Sequence, residues 1–207
     1  MDSRYLAFAG VAALLTVTPG ADMALVTRSA LAGGRRAALA TTLGISLGVL
    51  AWAAASALGV AAVLATSPTA FAVLQLGGAA YLVVLGLQTL WRTRQAAPDR
   101  GEDGDRAERR TTAFRQGLLT NVLNPKIAVF YGTLLPQFLS PGDPALAISL
   151  VLAGIHVAFG LAWLTTYAWL VTRAGDVLRR PRARRALDRL TGTVLVALGL
   201  RIAASSR

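Results

Sequence analysis

The chain has 207 residues, 55% of them hydrophobic and 15% charged, with a formal net charge of +11. Mean hydropathy is +0.55, and no charge falls between Ala37 and Trp91, a run that a soluble domain would have to display as exposed apolar surface. These features exclude an ordinary soluble protein. The absence of cysteine excludes disulfides, thiolate metal sites and cysteine nucleophiles, and the arginines sit between apolar stretches, where topology rather than nucleic acid explains them.

Met1–Arg4 ahead of an apolar run resembles a signal peptide. Further spans follow and no clean small-residue cleavage pattern is present, so a retained first helix is expected. Six spans are predicted, at 5–27, 38–64, 70–91, 116–139, 145–172 and 190–204. The second and third are joined by the short turn Thr66-Ser67-Pro68-Thr69, the fourth and fifth by Ser140-Pro141-Gly142-Asp143-Pro144. Only 92–115, rich in Arg, Asp, Glu and Gly, reads as a long linker. The first loop carries three arginines, the third seven and the fifth seven; the second and fourth carry none. This bias predicts odd loops in the cytoplasm and both termini outside. The basic fifth loop also suits anionic lipid head groups.

The two halves echo each other. Ala7-Phe8 leading to Pro19 matches Ala113-Phe114 leading to Pro125 at one offset. Gly44-Ile45 is answered by Gly154-Ile155, and Val83–Leu87 by Val196–Leu200. Three crossings per half reverse the direction of entry. The expected fold is thus all-α and polytopic, with six transmembrane helices as two inverted three-helix repeats whose first helices are broken. It forms a single transmembrane domain over 1–207, with repeat one at 1–91, a cytoplasmic linker at 92–115 and repeat two at 116–207. Small residues at Gly44 and Gly48, at Gly77–Ala80, and at Gly154 with Ala158 are set for close packing, against another helix or against a second copy in a homodimer.

The chemistry gathers at the breaks. Pro19 removes an amide donor within Thr18-Pro19-Gly20-Ala21-Asp22. Gly20 offers backbone conformations closed to other residues. Pro125 acts likewise in Asn124-Pro125-Lys126. Backbone freed at that depth must line a polar cavity or be buried in protein, and a helix restarting there aims its positive end at a carboxylate. Asp22 and Lys126 are the acid and base that the breaks place in the membrane, where a charge costs about 2.5–3.5 kcal/mol on insertion scales. A buried ion pair between them is the alternative reading. Thr16, Thr18 and Asn121 also fall at the breaks, although threonine often only bonds back to its own helix. His156, the sole histidine, reads as a hydrogen-bonded core residue or, with Asp22, as part of a proton relay. Gln75, Gln137, Trp52, Trp91, Trp163, Trp169 and Tyr5 read as interfacial. Tyr81, Tyr131 and Tyr167 are within reach of a cavity.

Thr18-Pro19-Gly20-Ala21-Asp22, Gly34-Arg35-Arg36, Leu43-Gly44, Leu76–Leu82, Leu85-Gly86, Gly117–Lys126 and Leu135-Pro136-Gln137-Phe138 together resemble the LysE/RhtB family of bacterial amino acid exporters over nearly the whole chain. Ala21 departs from it, standing where many members have a second proline. The resemblance implies ion-gradient-driven efflux of an amino acid or close derivative across the inner membrane, with no cofactor. Substrate binding would fall to Thr18, Pro19, Gly20, Asp22, Asn121, Asn124, Pro125 and Lys126. A cation or metal exporter of the same superfamily is the alternative, although lack of Cys and a single His argue against soft metals. A membrane enzyme is poorly served by one intramembrane aspartate and one histidine.

Overall fold

A computed structural model describes residues 3–59, 67–94, 105–140, 142–173 and 181–204. The far end of the second expected span, part of the turn after it, the middle of the linker and residues 174–180 lie outside them. Among the described residues all regular structure is helical. Helix α1 is Ser3–Val17, α2 Ala21–Ala57, α3 Pro68–Arg94, α4 Asp105–Val122, α5 Pro125–Val129, α6 Ala145–Arg173 and α7 Pro181–Ala204.

The first expected span is interrupted where Pro19 stands: α1 ends at Val17 and α2 starts at Ala21. Helix α2 then runs through the expected first loop, bending at Gly34, whose φ of 68° lies in the left-handed region that glycine tolerates. The Thr41 hydroxyl donates to the Ser29 hydroxyl at 2.7 Å. In a straight helix those positions would stand about 18 Å apart, so the two arms of α2 fold back on each other at Gly34. The first loop is therefore a tight helical corner.

The fourth expected span is broken into pieces. Helix α4 begins well before the membrane-type sequence, at Asp105, so the second half of the linker is helical. A turn at Leu123-Asn124 leads to α5, then a π-helical turn at Phe130–Leu134 and a 3₁₀ turn at Leu135–Phe138. The cause of the widened turn is Pro136, whose ring clashes with the carbonyl four residues back and whose nitrogen donates nothing. Among the described residues three helices are long and apolar enough to cross a membrane, at Ala21–Ala57, Pro68–Trp91 and Ala145–Arg173, with Ser3–Val17 apolar but shorter.

Packing is closest where glycines face backbone. A side chain at Gly44 would strike the Phe114 carbonyl, and one at Gly117 the Thr41 carbonyl, so the second arm of α2 lies directly on α4. Gly86 and Gly192 meet in the same way between α3 and α7. The first arm of α2 packs Val26 and Ala30 against Leu164 and Ala168 of α6. In lipid, where no hydrophobic drive joins helices, such close approach supplies the packing attraction. The Gly44–Gly48 face is thus used within the chain, whereas Gly77 and Gly154 face open space.

Two interfacial expectations are corrected. Trp52 is buried in the apolar cluster that includes Phe8, Ile127 and Phe130, because α2 turns that face to the chain's own core rather than to the interface. Gln75 is also buried. Trp91, Trp163 and Trp169 are exposed, and Gln137, also exposed, donates to the Thr133 carbonyl at 2.9 Å. At the opposite end from the Gly34 corner, Arg4 pairs with Asp143 at 2.6 Å and ties the start of α1 to the turn before α6.

Candidate substrate cavity at the two helix breaks

The breaks meet. The Lys126 ammonium, in the first turn of α5, donates to the carbonyls of Leu15 and Thr18 at 3.2 Å each. These belong to the last turn of α1, where carbonyls have lost their helical partners and the helix end is negative. Lys126 therefore caps another helix. Gly20 lies beside it: a Cβ there would be in ordinary contact, 3.4 Å from the Lys126 nitrogen. The expected conformational role of Gly20 is corrected, since its φ of −172° and ψ of −165° are extended values open to any residue.

Asp22 lies in the first turn of α2, where the positive helix end favours a carboxylate. Asn121 donates its amide to Asp22 Oδ2 at 3.3 Å. Asp22 Oδ1 is buried and has no hydrogen-bond partner. Among the described residues no ion pair joins Asp22 to Lys126; each is held by neutral groups, and the two charges face one space. Asn121 is fully buried and seated by Gly48, where a Cβ would come within 2.7 Å of Asn121 Oδ1.

That space is a cavity of about 40 Å³, room for a few waters. Its polar wall comprises Thr16, Thr18, Asp22, Ser46, Asn121, Lys126 and His156. Thr16 and Thr18 also bond back to Ala12 and Leu14, and Ser46 to Thr42. His156 Nδ1 meets the Tyr131 hydroxyl at 3.0 Å, with the two rings stacked 6.0 Å apart. Tyr131 is therefore a buried support behind the cavity; it does not line it.

Of the residues singled out in the sequence, Thr16, Thr18, Gly20, Asp22, Asn121, Lys126 and His156 line the cavity together. Pro19, Asn124 and Pro125 shape it from outside. Asn124 caps α5 by accepting from the Lys126 amide at 3.1 Å, and Pro125 opens that helix. Sequence reasoning missed Ser46 and the seating role of Gly48. Their signal is Gly44-Ile45-Ser46-Leu47-Gly48, small residues on alternate positions, which was read for packing only.

Fold and site define an integral membrane protein in which two interrupted helices enclose a polar cavity. The chain belongs to the LysE type translocator family, whose family model matches residues 13–206. It is 28% identical over 201 residues to a homoserine/homoserine lactone efflux protein of Salmonella typhimurium, covering 97% of this chain and 96% of the relative. It is 30% identical over 176 residues to a threonine efflux protein of Salmonella typhi, covering 84% and 81%. An uncharacterized membrane protein, YrhP, of Bacillus subtilis is 28% identical over 202 residues, covering 95% and 96%. No solved structure matches.

Proposed function

We propose that this protein is a secondary exporter of an amino acid or close derivative, driven by an ion gradient across the bacterial inner membrane. The observation that carries the reading is a buried carboxylate oxygen without a partner, Asp22 Oδ1, in a cavity shared with the Lys126 ammonium. A zwitterion complements that pair of charges. Efflux of homoserine, homoserine lactone or threonine by similar proteins supports the substrate class.

In the proposed cycle the substrate carboxylate draws Lys126 off the end of α1. The Leu15 and Thr18 carbonyls are thereby freed for the substrate ammonium, next to Asp22. A proton reaching Asp22 from outside weakens that ammonium contact and permits release. His156, held by Tyr131 on the cavity wall, is a second proton-carrying group on the route. The substrate would be bound by Thr18, Gly20, Asp22, Asn121 and Lys126, with Pro19, Asn124 and Pro125 holding the breaks open.

The two-repeat design is part of the proposal. Exchanging the halves carries the α2–α4 pairing onto the α6–α1/α2 pairing, and the α3–α7 pairing onto itself, the pattern that packing at Gly44, Gly86 and Leu164 supports. With the first and third loops placed in the cytoplasm by their arginines, the Arg4–Asp143 pair marks the outer end. The test is export from vesicles loaded with homoserine or threonine under an imposed proton gradient, with metal-ion efflux measured alongside. Export coupled to the gradient is expected; efflux of a metal ion with no amino acid movement would refute it.

A further inference from the structure

We infer that Arg35, Arg36, Arg109 and Arg110 form a binding site for a phosphate-bearing anion. The four side chains line a cavity of about 390 Å³, separate from the cavity at the breaks and lined also by Ala32, Gly33 and Ala37. They come from two elements far apart in sequence. Arg35 and Arg36 follow the Gly34 corner of α2, whose left-handed backbone turns them to one end of the molecule. Arg109 and Arg110 lie in the first turns of α4, whose packing on α2 brings them opposite.

The lining chemistry selects the ligand class. Guanidinium groups remain charged at all physiological pH and bind phosphate oxygens in pairs. The volume leaves room for a group larger than water. Such pockets at the ends of membrane helices suit anionic head groups. The same chemistry would also accept a soluble phosphate or pyrophosphate. Either source would cross-link the α2 corner to α4, the two segments that carry Asp22 and Asn121.

The test uses the purified full-length chain and two probes: vesicles of phosphatidylcholine with 20% cardiolipin, read by lipid retention in native mass spectrometry, and inorganic pyrophosphate, read by calorimetry. Two paired variants remove half of the site, Arg35→Gln/Arg36→Gln and Arg109→Gln/Arg110→Gln. A third, Arg115→Gln/Arg189→Gln, removes the same charge elsewhere. At roughly 1 kcal/mol for each arginine near an anionic surface, each site pair is expected to weaken binding about thirtyfold, with the third variant close to the parent. Saturable cardiolipin retention identifies a lipid head group; saturable pyrophosphate binding without it identifies a soluble anion. Equal weakening by all three variants, or no saturation with either probe, would overturn the site and leave only a diffuse basic surface. Because one site pair leaves α4 intact and the other leaves the α2 corner intact, misfolding of one variant does not remove the test.

Discussion

The two helix breaks look alike in sequence and are held in different ways. The second is locally encoded: Asn124 caps α5, Pro125 opens it, and a π turn ahead of Pro136 takes up the strain. The first has no cap of its own. Gly20 provides no side chain, and the loose carbonyls of Leu15 and Thr18 are served by Lys126 from the other break. One break is a platform, and the other is shut by a removable charged group. In the proposed cycle the half-helix that moves is therefore α1, and the group that releases it is Lys126.

Substitutions at the charged pair should have the largest effects. Asp22→Asn keeps the Asn121 contact but removes the proton-carrying carboxylate, so gradient-driven export should fall to background, while exchange of substrate without a gradient survives in part. Lys126→Met should lower apparent substrate affinity at least tenfold, as expected when a charged hydrogen-bonding partner is lost. It should also separate the two breaks in hydrogen exchange, with faster exchange at Thr18–Gly20 and no change across Pro125–Val129. Equal acceleration at both would mean the asymmetry is wrong.

Smaller effects follow in order. Gly48→Ala forces Asn121 away from Asp22; overpacking of this kind costs about 1–3 kcal/mol, read as a drop in melting temperature together with a severalfold loss of export. Asn124→Ala removes the α5 cap at about 1 kcal/mol and should leave Lys126 on α1, with substrate affinity little changed. The smallest concerns Asp143. The Ser140 amide, then Arg4, hold its carboxyl below the ordinary value of 3.8. A lowered folded value stabilises above the unfolded one and is lost as pH falls, so the Asp143→Asn variant and the parent should begin to converge in stability as pH falls below 3.8 and coincide only below the lowered folded value.

Much of the site was legible because proline and charge are rare inside membrane spans. Pro19, Asp22, Asn124, Pro125 and Lys126 announce themselves against an apolar background, and the structure brings both breaks to one cavity. What sequence did not reveal was contact between distant residues. Nothing local says that Lys126 caps α1, that Gly48 seats Asn121, or that Trp52 fills the core. The continuous α2 was hidden for a different reason. Charged Arg28, Arg35 and Arg36 read as a loop, yet the chain turns between the two arms of α2 at Gly34, with helical residues on either side of it. The π turn is not legible in the expected span 116–139, because the steric demand of Pro136 falls on the turn before it.

The proposal that substrate binds in the cavity between the breaks is open to one direct measurement. The chain contains no cysteine, so Thr16→Cys puts a single thiol on the cavity wall. Its labelling rate with a charged methanethiosulfonate reagent should be measurable in membranes and slowed by homoserine or threonine, but not by an equal concentration of sodium acetate. A thiol that never reacts, or reacts at the same rate with and without either amino acid, would contradict a binding cavity at this position.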